Sequence, residues 1–202
     1  MAACPVLSSY APSPALHFGK ITYIKVLMHR FILVLFSFLA MLTGCSAPSI
    51  QNYADQTPSV DVRDFFEGEI TAWGVVQNRS GEVINRFRAD MHGSWDGDSG
   101  VLDEEFFYSN GDTQTRQWQF VKQGENYYTG TASDVIGEAT IDQAGNAINL
   151  NYTLRVPVGD RTYDLNFDDW MWLVEDETII NRATMKKFGF RVGELIVVIQ
   201  KQ

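Results

Sequence analysis

The chain has 202 residues, of which 45% are apolar and 20% are charged, a composition typical of a globular domain and not of a disordered chain. It carries 25 acidic against 16 basic residues, and the resulting net charge of −9 argues against a nucleic-acid partner, whose phosphates need a basic surface. Its two cysteines, Cys4 and Cys45, are too few for a disulfide scaffold or a four-thiolate zinc site. We therefore expect neither a metal ion nor any other cofactor.

A short apolar segment near the N-terminus is typical of a signal peptide. Residues 31–43 carry no charge and follow Arg30. This segment is shorter than the roughly 20 residues that a helix needs to span a bilayer, but it suits a signal peptide. The next feature, Leu42-Thr43-Gly44-Cys45, resembles the lipobox of bacterial lipoproteins. The alternatives are a chance cysteine after an apolar helix and an uncleaved anchor.

The lipobox resemblance implies cleavage before Cys45 and acylation of both its thiol and its new amine. With Ser46 as the next residue, it also implies a lipid-anchored location at the outer membrane, facing the periplasm. We therefore expect residues 1–44 to be an N-terminal extension with a signal peptide. Residues 45–61, rich in Pro, Ser and polar side chains, are predicted to form the lipidated cysteine and a flexible tether, and 62–202 the folded domain.

From residue 69 onward, turn signals rich in Gly, Asn and Asp recur between short strands. The alternation is clearest over 148–158, where apolar residues at even positions are separated mainly by polar ones. Such a meander predicts an all-β domain, either a sandwich or a single antiparallel up-and-down barrel of about eight to ten strands. We favour the barrel because closure removes exposed edges. Only 60–66 and 178–188 have the pattern of a short helix.

Two further strands have distinctive patterns. In 163–167 the alternation is regular, but Asp168 and Asp169 interrupt it before Trp170, which suggests a β-bulge. The continuously apolar run 195–199 is typical of a strand covered on both sides.

Several motifs resemble those of a known protein family. They are Ala72-Trp73-Gly74, Phe167-Asp168-Asp169-Trp170-Met171 and Asn181-Arg182-Ala183-Thr184-Met185, followed by Lys187-Phe188-Gly189 and Gly193-Glu194. With them the chain, from about residue 53 to its end, resembles an uncharacterised lipoprotein family of Gram-negative bacteria, domain-of-unknown-function family 3833. The resemblance implies no catalytic residue or ligand. The strand pattern is similar to that of lipocalins, barrels that hold lipophilic molecules, and Gly93-Ser94-Trp95 is similar to their Gly-x-Trp signature.

The acidic residues offer little support for catalysis or metal binding. A strand points Asp168 and Asp169 to opposite faces, which prevents an acid–base pair unless a bulge brings them together; capping a bend or pairing with Arg182 is the alternative. A second acidic group fails the calcium-loop pattern and fits a hairpin turn. Its members are Asp96, Asp98, Asp103, Glu104 and Glu105.

A serine-protease reading also lacks support. Ser99 lies in a Gly-Asp-Ser-Gly stretch, but the only histidine after the lipobox, His92, stands among alternating polar residues and is expected to face solvent.

The aromatic residues are the remaining candidates for a site. They either fill a small barrel or line an elongated apolar pocket, and both interpretations stay open. Arg182, followed by Lys186, Lys187 and Arg191, would suit a carboxylate or phosphate headgroup at the mouth, or it pairs with the surplus acids. The candidate ligand-binding residues are Trp73, Trp95, Trp118, Tyr152, Trp170, Trp172 and Arg182.

Two functions follow from these sequence features. The first is non-catalytic binding or carriage of a lipophilic molecule, such as a fatty acid or an envelope lipid, by an outer-membrane lipoprotein. The second is a non-catalytic envelope protein whose β-domain docks a protein partner. A weaker third is an enzyme acting on lipids through Asp168 or Asp169 with Arg182.

Overall fold

The computed structural model describes Met28, Arg30 and residues 48–202. A 3₁₀ helix (Ile50–Tyr53) and one α-helix, α1 (Val62–Phe66), precede ten strands. The strands are β1 (Gly68–Asn78), β2 (Val83–Asp96), β3 (Ser99–Tyr108), β4 (Thr113–Gly124), β5 (Tyr127–Thr131), β6 (Ala139–Ala144), β7 (Ala147–Val158), β8 (Arg161–Glu175), β9 (Thr178–Lys187) and β10 (Phe190–Lys201). Each strand pairs antiparallel with the next, and β10 pairs with β1. The predicted closed up-and-down barrel is confirmed.

The predicted N-terminal features lie outside the described residues. These are the apolar segment 31–43, the lipobox at 42–45 and both cysteines, so the signal peptide and the lipidation stay predictions. In the described part of the chain, no helix combines the length and the apolar character needed to cross a membrane.

The alternation along β8 continues without the predicted bulge at Asp168 and Asp169. Phe167, Asp169 and Leu173 all face the interior, and β8 keeps a continuous register with β7 from end to end. The prediction was wrong because Asp169 is a carboxyl at an inward position: it interrupts the hydrophobic pattern but not the pleat. The register of β8 shifts only next to β9, between Leu173 and Glu175.

Two other predictions about the C-terminal strands are also corrected. The segment 178–188 forms β9 and its turn instead of a helix, and Ile179, Asn181 and Ala183 alternate inward as buried residues. The run 195–199 is covered on one side only, since Ile196 and Val198 are exposed on the outer wall. That wall is apolar along one cross-strand row, where Val198 pairs with Trp73 of β1 and with Ile180 of β9.

The segment predicted as a tether packs on the barrel over residues 50–61. Tyr53 lies against Trp170 at 5.6 Å between ring centroids, and its carbonyl packs against Gly145 in the turn between β6 and β7. The amide of Val60 donates to the Gly145 carbonyl at 2.8 Å. Apolar side chains among the polar ones, with Val60 buried, make this segment part of the domain.

One end of the barrel is closed by α1, in the predicted helical segment 60–66. Asp61 caps the helix by accepting from the amides of Arg63 at 2.8 Å and Asp64 at 3.1 Å. The side chains of Val62 and Phe66 point into the barrel, where both line its cavity. At the other end of the helix, the Lys201 ammonium donates to the carbonyls of Asp64, Phe65 and Glu67.

Gly93 allows α1 to sit this close to the strands. A Cβ atom at Gly93 would lie 1.5 Å from the carbonyl oxygen of Phe66, whereas one at Gly124 would meet nothing nearer than 4.0 Å. We expect Gly93→Ala to lower the free energy of unfolding by roughly 1–3 kcal/mol because the backbone of α1 must move away. Chemical denaturation of Gly93→Ala and the control Gly124→Ala measures the difference; equal stability of the two variants would contradict this packing.

Candidate functional site

The barrel encloses a cavity of about 130 Å³ between α1 and the middle of the strands. Most of its wall is apolar, and small residues such as Ala72 and Ala89, which pair across β1 and β2, leave room in it. An apolar cavity of about 150 Å³ is enough to hold benzene. The space therefore fits a small ring or a short length of acyl chain.

A charged group lies on the β3–β4 side of this cavity. The guanidinium of Arg116 donates from Nε to both oxygens of Asp134, at 3.1 and 3.0 Å, and from Nη2 to Oδ2 at 2.9 Å. Its Nη1 donates to Oε2 of Glu104 at 3.4 Å. Asp134 comes from the connection between β5 and β6, so this group ties the connection to the barrel wall.

A second polar group lies on the β7–β9 side. The Asn181 amide donates to Oδ1 of Asp169 and to the carbonyl of Trp170, the latter at 3.1 Å. The Tyr152 hydroxyl donates to Oδ2 of Asp169 at 3.5 Å. Asp169 and Asn181 are both buried, so these hydrogen bonds replace those lost to water.

Burial sets the protonation of the cavity carboxyls. It raises the pKa of Asp169 to about 7, against the hydrogen bonds from Asn181 and Tyr152 that favour the charged form. It also raises the pKa of Glu104 to about 6, against the charge of Arg116. The cavity wall thus holds two carboxyl groups, Glu104 and Asp169, and one guanidinium that is itself bonded to Asp134, so the cavity offers no unpaired positive charge.

Three of the predicted ligand-binding residues lie inside the barrel. Trp118 and Tyr152 line the cavity, with their rings 5.5 Å apart edge to face. Trp95 points inward near the closed end, stacked 6.2 Å from Phe120 and over Gly100, and belongs to the packed core beside the cavity.

The other four predicted residues lie on the outer wall and do not line the cavity. Trp73 is 45% exposed. Trp170 and Trp172 stack on each other, 6.1 Å apart, with Tyr53 over them. Arg182 lies over the Trp172 ring at 5.6 Å and pairs with Glu194 at 3.6 Å, so it is not at the mouth of a pocket. Successive side chains of a strand point to opposite faces, and each of these four residues is next to an inward-facing residue, so each points outward.

The two adjacent aspartates face opposite sides of the wall, as the strand period predicts. Asp168 points outward and accepts from Lys186 at 2.8 Å and from the Trp170 indole at 2.9 Å; its partner is Lys186, not Arg182. Burial alone would raise the pKa of Asp168, but the hydrogen bonds from Lys186 and Asn149 outweigh it and lower that pKa.

The other sequence candidates, apart from Glu104 in the cavity wall, are structural. The acidic group at 96–105 spans the predicted hairpin, in which Asp96 pairs with Ser99 across the β2–β3 turn. His92 lies on the outer wall, as expected, with Nδ1 2.8 Å from the carboxylate of Glu69. Within the described residues, no group of three or more histidine, cysteine or acidic side chains is arranged to hold a metal ion.

Three cavity residues were not identified as site candidates from the sequence. They are Glu104, Arg116 and Asn181. Each of the three polar residues has an apolar, buried residue two positions before or after it in its strand. Asn181, for example, lies between Ile179 and Ala183. A search for polar residues in phase with the apolar face of each strand would have found them.

The raised pKa of Asp169 makes the stability of the domain depend on pH. Between about pH 4, where a free aspartate ionises, and its folded pKa of about 7, the folded protein holds a proton that the unfolded chain has released. The free energy of unfolding therefore falls as pH rises through this window, and Glu104 adds to the fall up to about pH 6. We expect Asp169→Asn to flatten the fall, as measured by urea denaturation at a series of pH values.

Asp168→Asn is the matched control. Because the pKa of Asp168 is lowered, its contribution to the free energy of unfolding is lost only as pH falls below about 4. This variant should therefore keep the wild-type dependence of the free energy of unfolding on pH between about pH 4 and 7. An unchanged slope in Asp169→Asn would contradict the protonation assigned to the cavity.

Comparisons with known proteins agree with the fold. Among curated proteins no match is found. The structure is similar to a phycobiliprotein lyase, described as the S-type lyase CPES from Guillardia theta, with a TM-score of 0.53 and 11% identity over 77% of this chain and 98% of that one. At this identity the similarity supports the fold alone. A family model described as "Protein of unknown function (DUF3833)" matches residues 39–201, and the chain therefore belongs to that family.

Proposed function

We propose that this protein binds a small lipophilic molecule, or the apolar end of a larger one, inside its barrel, and that it does so at the outer membrane as a periplasm-facing lipoprotein. The observation that carries the binding proposal is the apolar cavity closed by α1 and bordered by a few buried polar side chains. This is the usual form of a small-molecule site, in which the apolar wall supplies affinity and the polar groups orient the ligand.

The size of the cavity limits the ligand. Sites for drug-sized molecules typically occupy about 300–1,000 Å³, and this cavity of about 130 Å³ is smaller. A complete phospholipid does not fit it. A ring-sized molecule or the end of an acyl chain does.

The charge of the cavity limits the polar part of the ligand. All three nitrogens of the Arg116 guanidinium already donate hydrogen bonds to the carboxylates of Asp134 and Glu104. A ligand carboxylate or phosphate would meet these acids and Asp169 without a free cation. The proposed ligand therefore carries an uncharged or cationic polar group, such as a hydroxyl or an amine, and not the anionic headgroup suggested by Arg182.

Two single-ring probes of similar shape test this proposal. We expect phenol to bind the full-length protein saturably at about pH 8, and benzoate to bind at least about tenfold more weakly because its carboxylate would be buried beside other carboxylates. Isothermal titration calorimetry with each probe measures the two dissociation constants. Binding of benzoate as tightly as phenol would contradict the charge argument.

Two variants locate the probe. Ala89→Leu places extra methyl groups in the cavity and should abolish saturable phenol binding, while circular dichroism checks that the barrel remains folded. Arg182→Ala, on the outer wall, should leave the affinity unchanged. Loss of binding in Arg182→Ala but not in Ala89→Leu would move the site out of the barrel.

The proposed location rests on the sequence pattern around Cys45. Two or more acyl chains hold a protein stably on a bilayer, whereas one chain is marginal, so the acylation that the lipobox implies would be enough for a stable anchor. In Gram-negative cells fed radiolabelled palmitate, we expect the protein to carry label, Cys45→Ser to lose it and Cys4→Ser to keep it. A protein that stays unlabelled with Cys45 intact would refute the anchor and leave the cavity proposal standing.

A further inference from the structure

The hairpin between β9 and β10 has an aromatic tip in a strained conformation. Lys187 pairs with Phe190, so the turn consists of two residues, Phe188 and Gly189, with φ angles of 50° and 81°. Two-residue turns with positive φ at both positions favour Asn or Gly at the first position, and a bulky residue there is unusual. A phenylalanine at this position destabilises the turn, which suggests that its side chain is there to contact another molecule.

Both aromatic side chains of the tip point into solvent. Phe188 is 86% exposed and Phe190 is 70% exposed, the two largest exposures among the aromatic residues of the described chain. Full burial of such a side chain is worth about 1.5–3 kcal/mol. Neither ring gains that energy within the domain.

The tip is basic although the chain is acidic. Residues 186–192, Lys-Lys-Phe-Gly-Phe-Arg-Val, contain three cations and no acid, in a chain of net charge −9. The Lys187 ammonium lies 5.0 Å from the Phe188 ring and donates to the Asp164 carbonyl at 2.7 Å. Arg191 donates from Nη1 to Oε2 of Glu194 at 2.8 Å and from Nη2 to the carbonyl of Arg79 at 3.1 Å, so the β1–β2 turn lies against the tip.

The strand order places this tip at the end of the barrel opposite α1. In an up-and-down barrel alternate turns share an end, so the β9–β10 turn lies with the β1–β2, β3–β4, β5–β6 and β7–β8 connections. The opposite end, around α1, is rich in acids: the groove there is lined by Asp61, Asp64, Asp176 and Glu177 against one cation, Lys201. The other connections at the tip's end also carry acids, among them Glu82, Asp112, Glu138 and Asp160, so the excess of cations is confined to residues 186–192.

We propose that the β9–β10 tip is a membrane-docking element, in which Phe188 and Phe190 enter the headgroup region of a bilayer while the surrounding cations contact anionic phospholipids. Exposed aromatic side chains flanked by lysine and arginine match the two attractions that hold a peripheral protein on such a surface. The acidic end of the barrel faces away from the same surface by charge repulsion. This inference goes beyond ligand binding and does not depend on acylation of Cys45.

Photo-crosslinking in vesicles tests the proposal on the full-length protein. The protein is mixed with vesicles of phosphatidylcholine and phosphatidylglycerol that contain a trace of phospholipid with a diazirine in its acyl chain, irradiated, and cleaved after glutamate. We expect lipid adducts on peptide 178–194, located by mass spectrometry at Phe188 or Phe190. Vesicles of phosphatidylcholine alone should lower the adduct yield on this peptide by about tenfold, because the cations lose their partners.

Two variants separate tip insertion from other contacts with the vesicle. Phe188→Ser with Phe190→Ser should remove most of the adduct from peptide 178–194, whereas Val174→Ser, an exposed apolar position near the acidic end, should leave it unchanged. Adducts confined to other peptides, such as one containing 31–43, would overturn the proposal even if the protein binds the vesicles. Equal labelling in phosphatidylcholine alone, or no labelling at all, would overturn it too.

Discussion

The bonds from Arg116 to Asp134 and Glu104 are the interaction on which the rest of the structure depends. They join β3, β4 and the β5–β6 connection across the barrel interior, where the strands β5 and β6 are short. Removing one member of such a buried ion pair typically costs about 3–5 kcal/mol, because it leaves an uncompensated charge. The same bonds occupy the guanidinium, which is why the ligand that we propose for the cavity is not an anion.

The sequence predicts the architecture well because a strand has a period of two. Residues 148–158 alternate so regularly that the inward face of β7 can be identified without a structure, and Gly-, Asn- and Asp-rich turns mark the hairpins. The site is less predictable because it contains polar residues at inward positions. In the sequence, Asp169 looks like an interruption of β8, and Glu104 looks like a member of an acidic group on the surface. The amino-acid type alone does not distinguish a buried carboxyl from an exposed one.

The aromatic residues illustrate the same difficulty on the outer wall. Trp73, Trp170 and Trp172 were candidates because they are large and apolar. Whether a side chain points into the barrel or out of it, however, depends on its position along the strand and not on its hydrophobicity. Trp170 and Trp172 are covered by Tyr53, which precedes the barrel by fifteen residues and whose packing depends on long-range contacts. Those contacts cannot be derived from local patterns, so a segment that looks like a tether becomes part of the domain.

Native mass spectrometry of the full-length protein, purified from the cells that make it, tests the central claim most directly. If the barrel holds a lipophilic ligand, the folded protein should show the mass of the chain with its covalent modifications plus a small additional molecule, and denaturation should release that molecule. A folded protein whose mass equals that of the denatured chain, in every preparation, would contradict the claim that the cavity is a ligand site.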